Sequence, residues 1–227
     1  SAEAKCGIAV NAKVTTTDAS QGDLSLDGDK GSCSNTANGK VAIANQITLH
    51  AARTLTLKAD NAGMVQSGLA TLKAVHGIVL NSDITNAAGT PTKNLVIHVD
   101  SGGGAGTLSI ASSRIINTGA QNLVVTAGGI DLSGGVNTGT GLLDLTANTG
   151  KSIELGTATP AGLSLTGAEL QRITSTGGFR ISGSATITAA AVTQANSANI
   201  QSSLSLIATG TETGKDIVFT GAGSTFH

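Results

Sequence analysis

The stretch Asn122–Gly150 reads NLVVTAGGIDLSGGVNTGTGLLDLTANTG and contains three bursts of aliphatic residues spaced two apart. Gly, Asn and Thr separate the bursts, and the stretch has no aromatic residue. A period of two places successive side chains on opposite faces, so each burst predicts a short strand with one buried face. The small residues between the bursts permit sharp turns, because Gly and Asn accept a positive φ at low cost.

The same alternation recurs along most of the chain, and its spacing separates the candidate folds. Successive bursts often begin about seven or eight residues apart, whereas the hairpin signals Asn-Gly and Asp-Gly are rare. A chain that turns a corner this often can coil, with three short strands in a rung of about 20 to 25 residues. An immunoglobulin-type sandwich is the alternative fold, but it needs repeated hairpins and usually a core Trp or Tyr. The bursts are Val41/Ile43, Ile47/Leu49, Leu55/Leu57, Leu95/Ile97/Val99, Leu108/Ile110, Leu123/Val125, Ile130/Leu132, Leu143/Leu145, Ile153/Leu155, Leu163/Leu165, Phe179/Ile181, Leu204/Leu206 and Ile217/Phe219.

The sequence therefore predicts an all-β protein, a right-handed parallel β-helix with a small N-terminal cap. Residues 41–227 are expected to form the β-helix, with roughly eight to ten rungs stacked about 4.8 Å apart. Residues 1–40 are the least repetitive. We expect them to cover the N-terminal end of the solenoid, whose unpaired backbone would otherwise invite edge pairing.

One passage breaks the strand pattern. Thr166 and Glu169 have the spacing of a capping box, and the residues that follow are good or tolerable helix formers. The pattern predicts a single helical turn at 167–173, used as an extended corner. Leu170 and Ile173 are expected to point from this turn into the core.

Composition narrows the function classes. The chain has 227 residues with 31 Gly, 3 Phe and no Trp or Tyr, so aliphatic side chains must build most of the core. A hydrophobic share of 39% argues against disorder, and a formal charge of −1 supplies no basic surface for nucleic acid. No apolar run approaches the roughly 18 residues of a membrane-spanning helix, so we expect no membrane insertion.

The two cysteines, Cys6 and Cys33, lie at the same end of the chain. This placement fits a local disulfide in an oxidising compartment better than a structural metal site, which usually needs four ligands. On the chain-entropy model, closing a loop of about 27 residues contributes on the order of 3 kcal/mol. The alternative is a pair of reduced, buried thiols.

The rungs resemble those of a known family. The alternation NLVVTAGGIDLSGG, the repeated LTL, LSL and LDL cores, and the phrase GLSLTGAELQRITSTGGFRISGSATIT look like the repeats of filamentous-haemagglutinin-type secreted proteins. These are the large β-helical exoproteins of Gram-negative bacteria, and the resemblance covers about residues 40 to 227. It implies export, a long fibrous body and a role at the cell surface or in the matrix. Their secretion domain carries Asn-Pro-Asn motifs, whereas the prolines here are Pro91 and Pro160, so the resemblance is to the repeat region.

Candidate catalytic and calcium-binding carboxylates are few. Asp131 and Glu154 are separated by about the length of one rung, so a regular solenoid would bring them together on one face. Asp23, Asp27 and Asp29 in DLSLDGDKG resemble part of a calcium loop. The glutamate that ends the twelve-residue loop is missing, so a polar turn is the favoured interpretation. The remaining carboxylates considered are dispersed: Asp83, Asp100, Asp144, Glu169, Glu212 and Asp216.

The histidines suggest a second kind of site. His50, His76 and His98 follow one another at intervals close to one rung, so a regular coil would stack them as a ladder able to bind a metal. A single outward histidine in each rung is the more common arrangement. No G-x-S-x-G nucleophile motif is present, and the threonine clusters TTTD, TLTLK and ATIT are too irregular for an ice-binding array.

These observations favour a non-enzymatic, secreted or cell-surface structural or adhesive segment of a bacterial fibre, with no cofactor. The alternative is a polysaccharide-degrading β-helix enzyme, in which a groove gathers acidic and basic residues from adjacent rungs. Expected partners are further rungs of a parent chain, host-surface or matrix glycans, and copies of the chain joined end to end through Phe219 and Phe226. The start SAEAKCGIAV carries no export signal and the end follows a strand-like segment, so we expect a piece of a longer protein.

Overall fold

The computed structural model describes residues 1–31, 33, 35–87, 93–100, 106–157, 162–210, 216–221 and 223–226. Two single helical turns, α1 (Gly167–Leu170) and α2 (Gln194–Ser197), and a 3₁₀ turn at Thr36–Asn38 interrupt a succession of short strands. In chain order the strands are β1 (Ala2–Glu3), β2 (Ile8–Val10), β3 (Val14–Thr15), β4 (Leu24–Asp27), β5 (Val41–Ile43), β6 (Ile47–Ala51), β7 (Thr54–Lys58), β8 (Met64–Gln66), β9 (Ala70–Ala74), β10 (Gly77–Leu80), β11 (Ile84–Asn86), β12 (Leu95–Val99), β13 (Thr107–Ile110), β14 (Ile115–Asn117), β15 (Leu123–Ala127), β16 (Gly129–Leu132), β17 (Gly135–Gly139), β18 (Leu143–Ala147), β19 (Ile153–Gly156), β20 (Leu163–Thr166), β21 (Ile173–Ser175), β22 (Phe179–Gly183), β23 (Ile187–Ala190), β24 (Leu204–Ala208) and β25 (Ile217–Thr220).

In the first three sheets, each strand pairs with strands one coil away and not with its neighbours in the chain. The first sheet has the order β1-β4-β7-β10-β13-β16, the second β2-β5-β8-β11-β14-β17-β21, and the third β3-β6-β9-β12-β15-β18-β22-β24. Every pair of described strands is parallel. A chain that visits three sheets in turn and returns one strand further along is a parallel β-helix. The predicted fold class is confirmed, and the sandwich with its antiparallel hairpins is wrong; the right-handed sense of the coil stays a prediction.

The core is a set of aliphatic ladders inside the coil. In the first sheet, Leu55 pairs with Leu24 on one side and Ile78 on the other, and all three side chains are buried. Each sheet alternates such inward residues with outward polar ones. Parallel strands lie only about 4.8 Å apart, so a ring fits where its neighbours leave room. Phe179 occupies such a place, fully buried between Leu143 and Leu204.

Residues 1–40, where the sequence predicts a separate cap, contribute strands to the solenoid itself. β1, β2 and β3 pair in register with β4, β5 and β6, so each of them is the first strand of one sheet. Strand pairing therefore continues across residue 40, and the division of the chain at that residue stays a prediction. Cys6 and Cys33 form a disulfide that ties the turn after β1 to the segment before the 3₁₀ turn. This disulfide confirms the predicted cysteine pairing.

One coil departs from the regular order. A fourth sheet has the order β20-β19-β23-β25, so β20 follows β19 in the chain but lies on its opposite side from β23. β20 also contacts β16, the last strand of the first sheet. The chain therefore folds back by one strand position before the coil continues.

The predicted helical turn lies directly after this fold-back. The Thr166 hydroxyl accepts from the Glu169 backbone N–H at 3.2 Å, and the Glu169 carboxylate accepts from the Thr166 N–H at 2.8 Å, which confirms the capping box. Leu170 ends α1 and Ile173 begins β21, and both are buried as expected. The corner thus delivers two apolar side chains to the core.

Candidate functional site

The aspartates of DLSLDGDKG each have a structural partner in the next coil. Asp23 accepts from the backbone N–H of Thr54 at 3.0 Å, and Asp29 accepts from that of Asn61 at 2.8 Å. Asp27 pairs with the Lys58 ammonium, 3.4 Å away, and its charge raises the pKa of Lys58. These contacts match the interpretation of the segment as a polar turn, with the three carboxylates turned to three different partners.

Asp131 and Glu154 are not neighbours in the strand register. Asp131 pairs with Ser109 of β13, whereas Glu154 lies between Ser164 and Thr188. The strand β20 separates β16 from β19, so the interval between the two carboxylates does not correspond to one coil at this place. The hypothesis of a carboxylate pair is therefore wrong for these two residues, and Glu212 lies outside the described residues.

The histidine ladder takes a different form from the predicted one. His50, Lys73 and His98 occupy consecutive in-register positions on β6, β9 and β12, all in the third sheet. His76 lies in the turn between β9 and β10 and is not a member. The prediction of a ladder of three histidines is therefore wrong, because Lys73 lies between His50 and His98. Within the described ranges, no three His, Cys, Asp or Glu side chains are grouped in a way that could hold a metal ion.

The environment of this ladder favours the uncharged form of both imidazoles. Burial lowers the pKa of His98 below its ordinary value, and the nearby Lys73 ammonium lowers it further. Burial likewise lowers the pKa of His50, with added repulsion from Lys73 and Lys13. A pKa below the ordinary value favours the neutral imidazole at pH 7, which has one N–H donor and one acceptor nitrogen.

A small cavity of about 160 Å³ opens beside this ladder. Asp100, directly after β12, is only 6% exposed, and its Oδ2 accepts from Asn148 Nδ2 at 3.0 Å. Asn148 Nδ2 also lies 3.3 Å from the carbonyl oxygen of Val99. The second oxygen of Asp100, Oδ1, is buried and has no hydrogen-bond partner. The cavity is lined by Lys73, His98, Val99, Asp100, Thr126 and Asn148.

Sequence reasoning misses this cavity. In the sequence Asp100 is one of several dispersed carboxylates, and neither Lys73 nor Asn148 belongs to a recognisable motif. The available signal is the alternation in NLVIHVD, which places His98 outward and ends the strand at Asp100. Asn148 lies two coils away, and nothing in the local pattern connects it with Asp100.

The fold and these contacts define a parallel β-solenoid with aliphatic ladders inside and polar corners outside. No helix in the part of the chain that the structure describes is long and apolar enough to cross a membrane. No protein-family model, no curated protein and no solved structure matches the chain.

Proposed function

We propose that the chain is a non-enzymatic structural and adhesive segment of an exported bacterial fibre or matrix protein of the filamentous-haemagglutinin type. The observation that carries the proposal is the parallel pairing that joins each coil to the next, through the first three sheets and then, beyond β16, through the second, third and fourth. Backbone hydrogen bonds between parallel strands run along the solenoid axis. Extending the rod therefore requires breaking three sets of bonds for each coil that is released.

The use of the charged side chains supports a structural role. Asp23, Asp29 and Asp83 each accept a backbone N–H from the following coil. Arg180 forms a two-nitrogen contact with Asp144 across adjacent strands of the third sheet. Carboxylates used in this way join coils together, and a carboxylate already committed to such contacts is a poor general acid or base.

The disulfide supports export. Cys6–Cys33 closes part of the first coil, and stable disulfides are typical of oxidising compartments outside the cytosol. A covalent tie at this end stabilises strands of two or three residues that have little apolar area of their own. Secretion to the cell surface or the surroundings is the localisation that we propose.

The proposed partners include a second copy of the chain, placed end to end. At one end, a cavity of about 540 Å³ is lined mainly by apolar residues, among them Leu206, Ile217 and Phe219. At the other end, Ile8 and Leu26 are among the residues lining a cavity of about 420 Å³. Both ends present the terminal strands of parallel sheets, so one end offers the other a template for continued parallel pairing.

Single-molecule force spectroscopy tests the mechanical proposal. With the chain held between marker domains, we expect stepwise release of coils, roughly 70 to 120 Å each for coils of 20 and 36 residues. Leu145→Asp, which disrupts the core in the middle of the rod, should lower the force of the first step. The matched variant Thr146→Asp should leave that force unchanged.

Two results would contradict the proposal. A chain that extends smoothly without discrete steps has no mechanical coupling between coils. Release of reducing ends or unsaturated sugars from a panel of polysaccharides would instead support the carbohydrate-active enzyme.

A further inference from the structure

We propose that the cavity at Asp100 is a binding site for a single sugar ring, recognised through two adjacent hydroxyl groups. The inference rests on the adhesive part of the proposed function and names the kind of ligand and its place on the solenoid. The site lies on the outer side of the third sheet, where β12, β15 and β18 end.

The cavity exists because one of three stacked positions, in successive coils, is a glycine. His98 pairs with Thr126, and Ala127 pairs with Ala147, so Asp100, Gly128 and Asn148 hold equivalent positions in three successive coils. Gly128 has no side chain, and the Asn148 carboxamide reaches across its position to Asp100 Oδ2. The space between the two polar side chains is therefore a product of the stacking.

Asp100 supplies an acceptor that lacks a donor. Its Oδ1 is buried and unpartnered, although buried carboxylate oxygens are almost always hydrogen-bonded. Its backbone is also held at φ +69°, in the left-handed region that most residues avoid. Asp100 is among the residues that line the cavity, so a ligand hydroxyl that reaches Oδ1 would supply the missing donor.

Lys73 supplies the complementary donor and decides the charge of the ligand. The ammonium has no ion-pair partner within the described part of the chain. Its positive charge repels a metal ion or an ammonium group that would bind Asp100. A neutral diol fits both groups, because one hydroxyl donates to Asp100 while the adjacent oxygen accepts from Lys73.

The size of the cavity limits the ligand to one sugar ring. Its lining indicates that the affinity is low. Its volume of about 160 Å³ is well below the roughly 300 to 1,000 Å³ of cavities that enclose drug-sized ligands. The described lining residues include no Phe, Tyr or Trp, so the cavity lacks the large rings on which sugars commonly stack. We expect millimolar dissociation constants, which become useful on a fibre through multiple contacts.

Nuclear magnetic resonance titration with glucose, galactose and mannose tests the site on the intact chain. At least one of these hexoses should shift the resonances of His98 and Thr126 in a saturable way. In Asp100→Asn, the new carboxamide must keep its oxygen toward Asn148, which leaves a donor in place of Oδ1. We expect this variant and Lys73→Met each to weaken binding by at least about tenfold.

Asp131→Asn is the matched control, because Asp131 is an exposed carboxylate on the first sheet, away from the cavity. It should bind as tightly as the unaltered chain. Lys73 is half-buried at the surface, so Lys73→Met provides a folded test even if Asp100→Asn does not fold.

Three outcomes would overturn the proposal: no hexose shifts either residue, Asp131→Asn weakens binding as much as Asp100→Asn, or calcium chloride alone shifts His98 and Thr126 more strongly than any hexose. The last outcome would assign the cavity to a cation. If hexose binding is not observed, the stepwise force response of the rod is still expected. Failure of the sugar site can therefore be distinguished from failure of the mechanical proposal.

Discussion

A side-chain oxygen at a corner of the coil repeatedly accepts a backbone N–H from the next coil. Asp23, Asp83, Asn45 and Asn122 make this contact with distances of 2.9 to 3.0 Å. At a corner the strand ladder stops, so the next N–H needs another acceptor. Asp and Asn are short enough to supply one without leaving the turn. The small polar residues that permit the turns thus also join the coils.

The alternation of inward and outward residues in β18 gives the first prediction. Leu145 is buried and pairs with Val125 and Ile181, whereas Thr146 points outward beside Ser182. Leu145→Asp should lower the free energy of unfolding by roughly 4 kcal/mol or more, because it removes apolar burial and places a carboxylate in the core. Thr146→Asp should cost much less. Thermal denaturation of both variants measures the difference, and equal melting temperatures would contradict the strand assignment.

The third-sheet ladder gives a prediction about pH. The pKa values of His50 and His98 are lowered in the folded chain, chiefly by burial. The unfolded chain therefore binds protons first as the pH falls. Above the imidazole pKa of the unfolded chain, near 6.5, the neutral imidazoles make their full contribution to the stability. This contribution is lost as the pH falls through the lower imidazole pKa values of the folded chain.

The melting temperature should therefore decline between about pH 7 and about pH 5, and part of the decline should disappear in His98→Gln. His76→Gln, at an exposed turn outside the ladder, is the control. Proton resonances of the imidazoles measure each titration directly. If His98 titrates above 6.5, the described burial is wrong.

At the scale of elements, the regular strands and one helical turn could be predicted from the sequence. Thr166 and Glu169 carry a capping box that is legible without a structure. The second turn, α2, has the same geometry with Thr193 and Asn196, but asparagine is not the residue that defines the box. β1 and β3 have two residues each, too few to show an alternation. Their strand character comes from pairing with the next coil.

The fold-back of β20 could not be predicted, because its sequence LSLT has the pattern of every other strand. This coil differs from the others in the hydrogen bonds at the edge of β16. The Leu132 N–H donates to Glu169 Oε1 at 2.9 Å, and the Leu132 carbonyl accepts from Arg172 Nη1 at 2.7 Å. Two side chains from the α1 corner thus replace backbone partners where the first sheet stops.

This arrangement predicts a large effect at Glu169. Its carboxylate caps α1 and accepts from Leu132, so Glu169→Ala should cost about 1 kcal/mol for the cap and about 1 to 3 kcal/mol for the unpaired N–H. Gln171→Ala, an exposed change at the same corner, should cost little. Chemical denaturation compares the two variants. Equal stabilities would show that Glu169 does not join α1 to the end of the first sheet.

At the scale of the whole molecule, variable coil length explains why a fixed period wrongly predicts the carboxylate pair and the histidine ladder. Lys73, His98, Thr126 and Thr146 are successive partners in the third sheet, yet the chain between them differs in length from one coil to the next. The coil from His98 to Thr126 is the longest of the three, and the coil from Thr126 to Thr146 is the shortest. Corners absorb insertions without disturbing the ladders, so a constant period fails to identify neighbours. The fold can still be predicted, because each strand is recognised from the alternation in its own sequence. A site can be predicted only if the register of several coils is known.

The two ends of the solenoid give the last prediction. At the end formed by β24 and β25, Phe219 is 59% exposed, and its ring meets Phe226 edge to face. The opposite end exposes β1, β2 and β3, the terminal strands of the first three sheets, so a second copy can pair with them in parallel.

We therefore expect concentration-dependent end-to-end association of the 227-residue chain. Phe219→Lys should weaken it, because the variant places a charge in the apolar contact. Thr149→Lys, at an exposed corner in the middle of the rod, should leave it unchanged. Sedimentation velocity across a wide range of concentrations measures the effect. A strict monomer throughout, or equal weakening by both variants, would show that the apolar end is not the contact between copies.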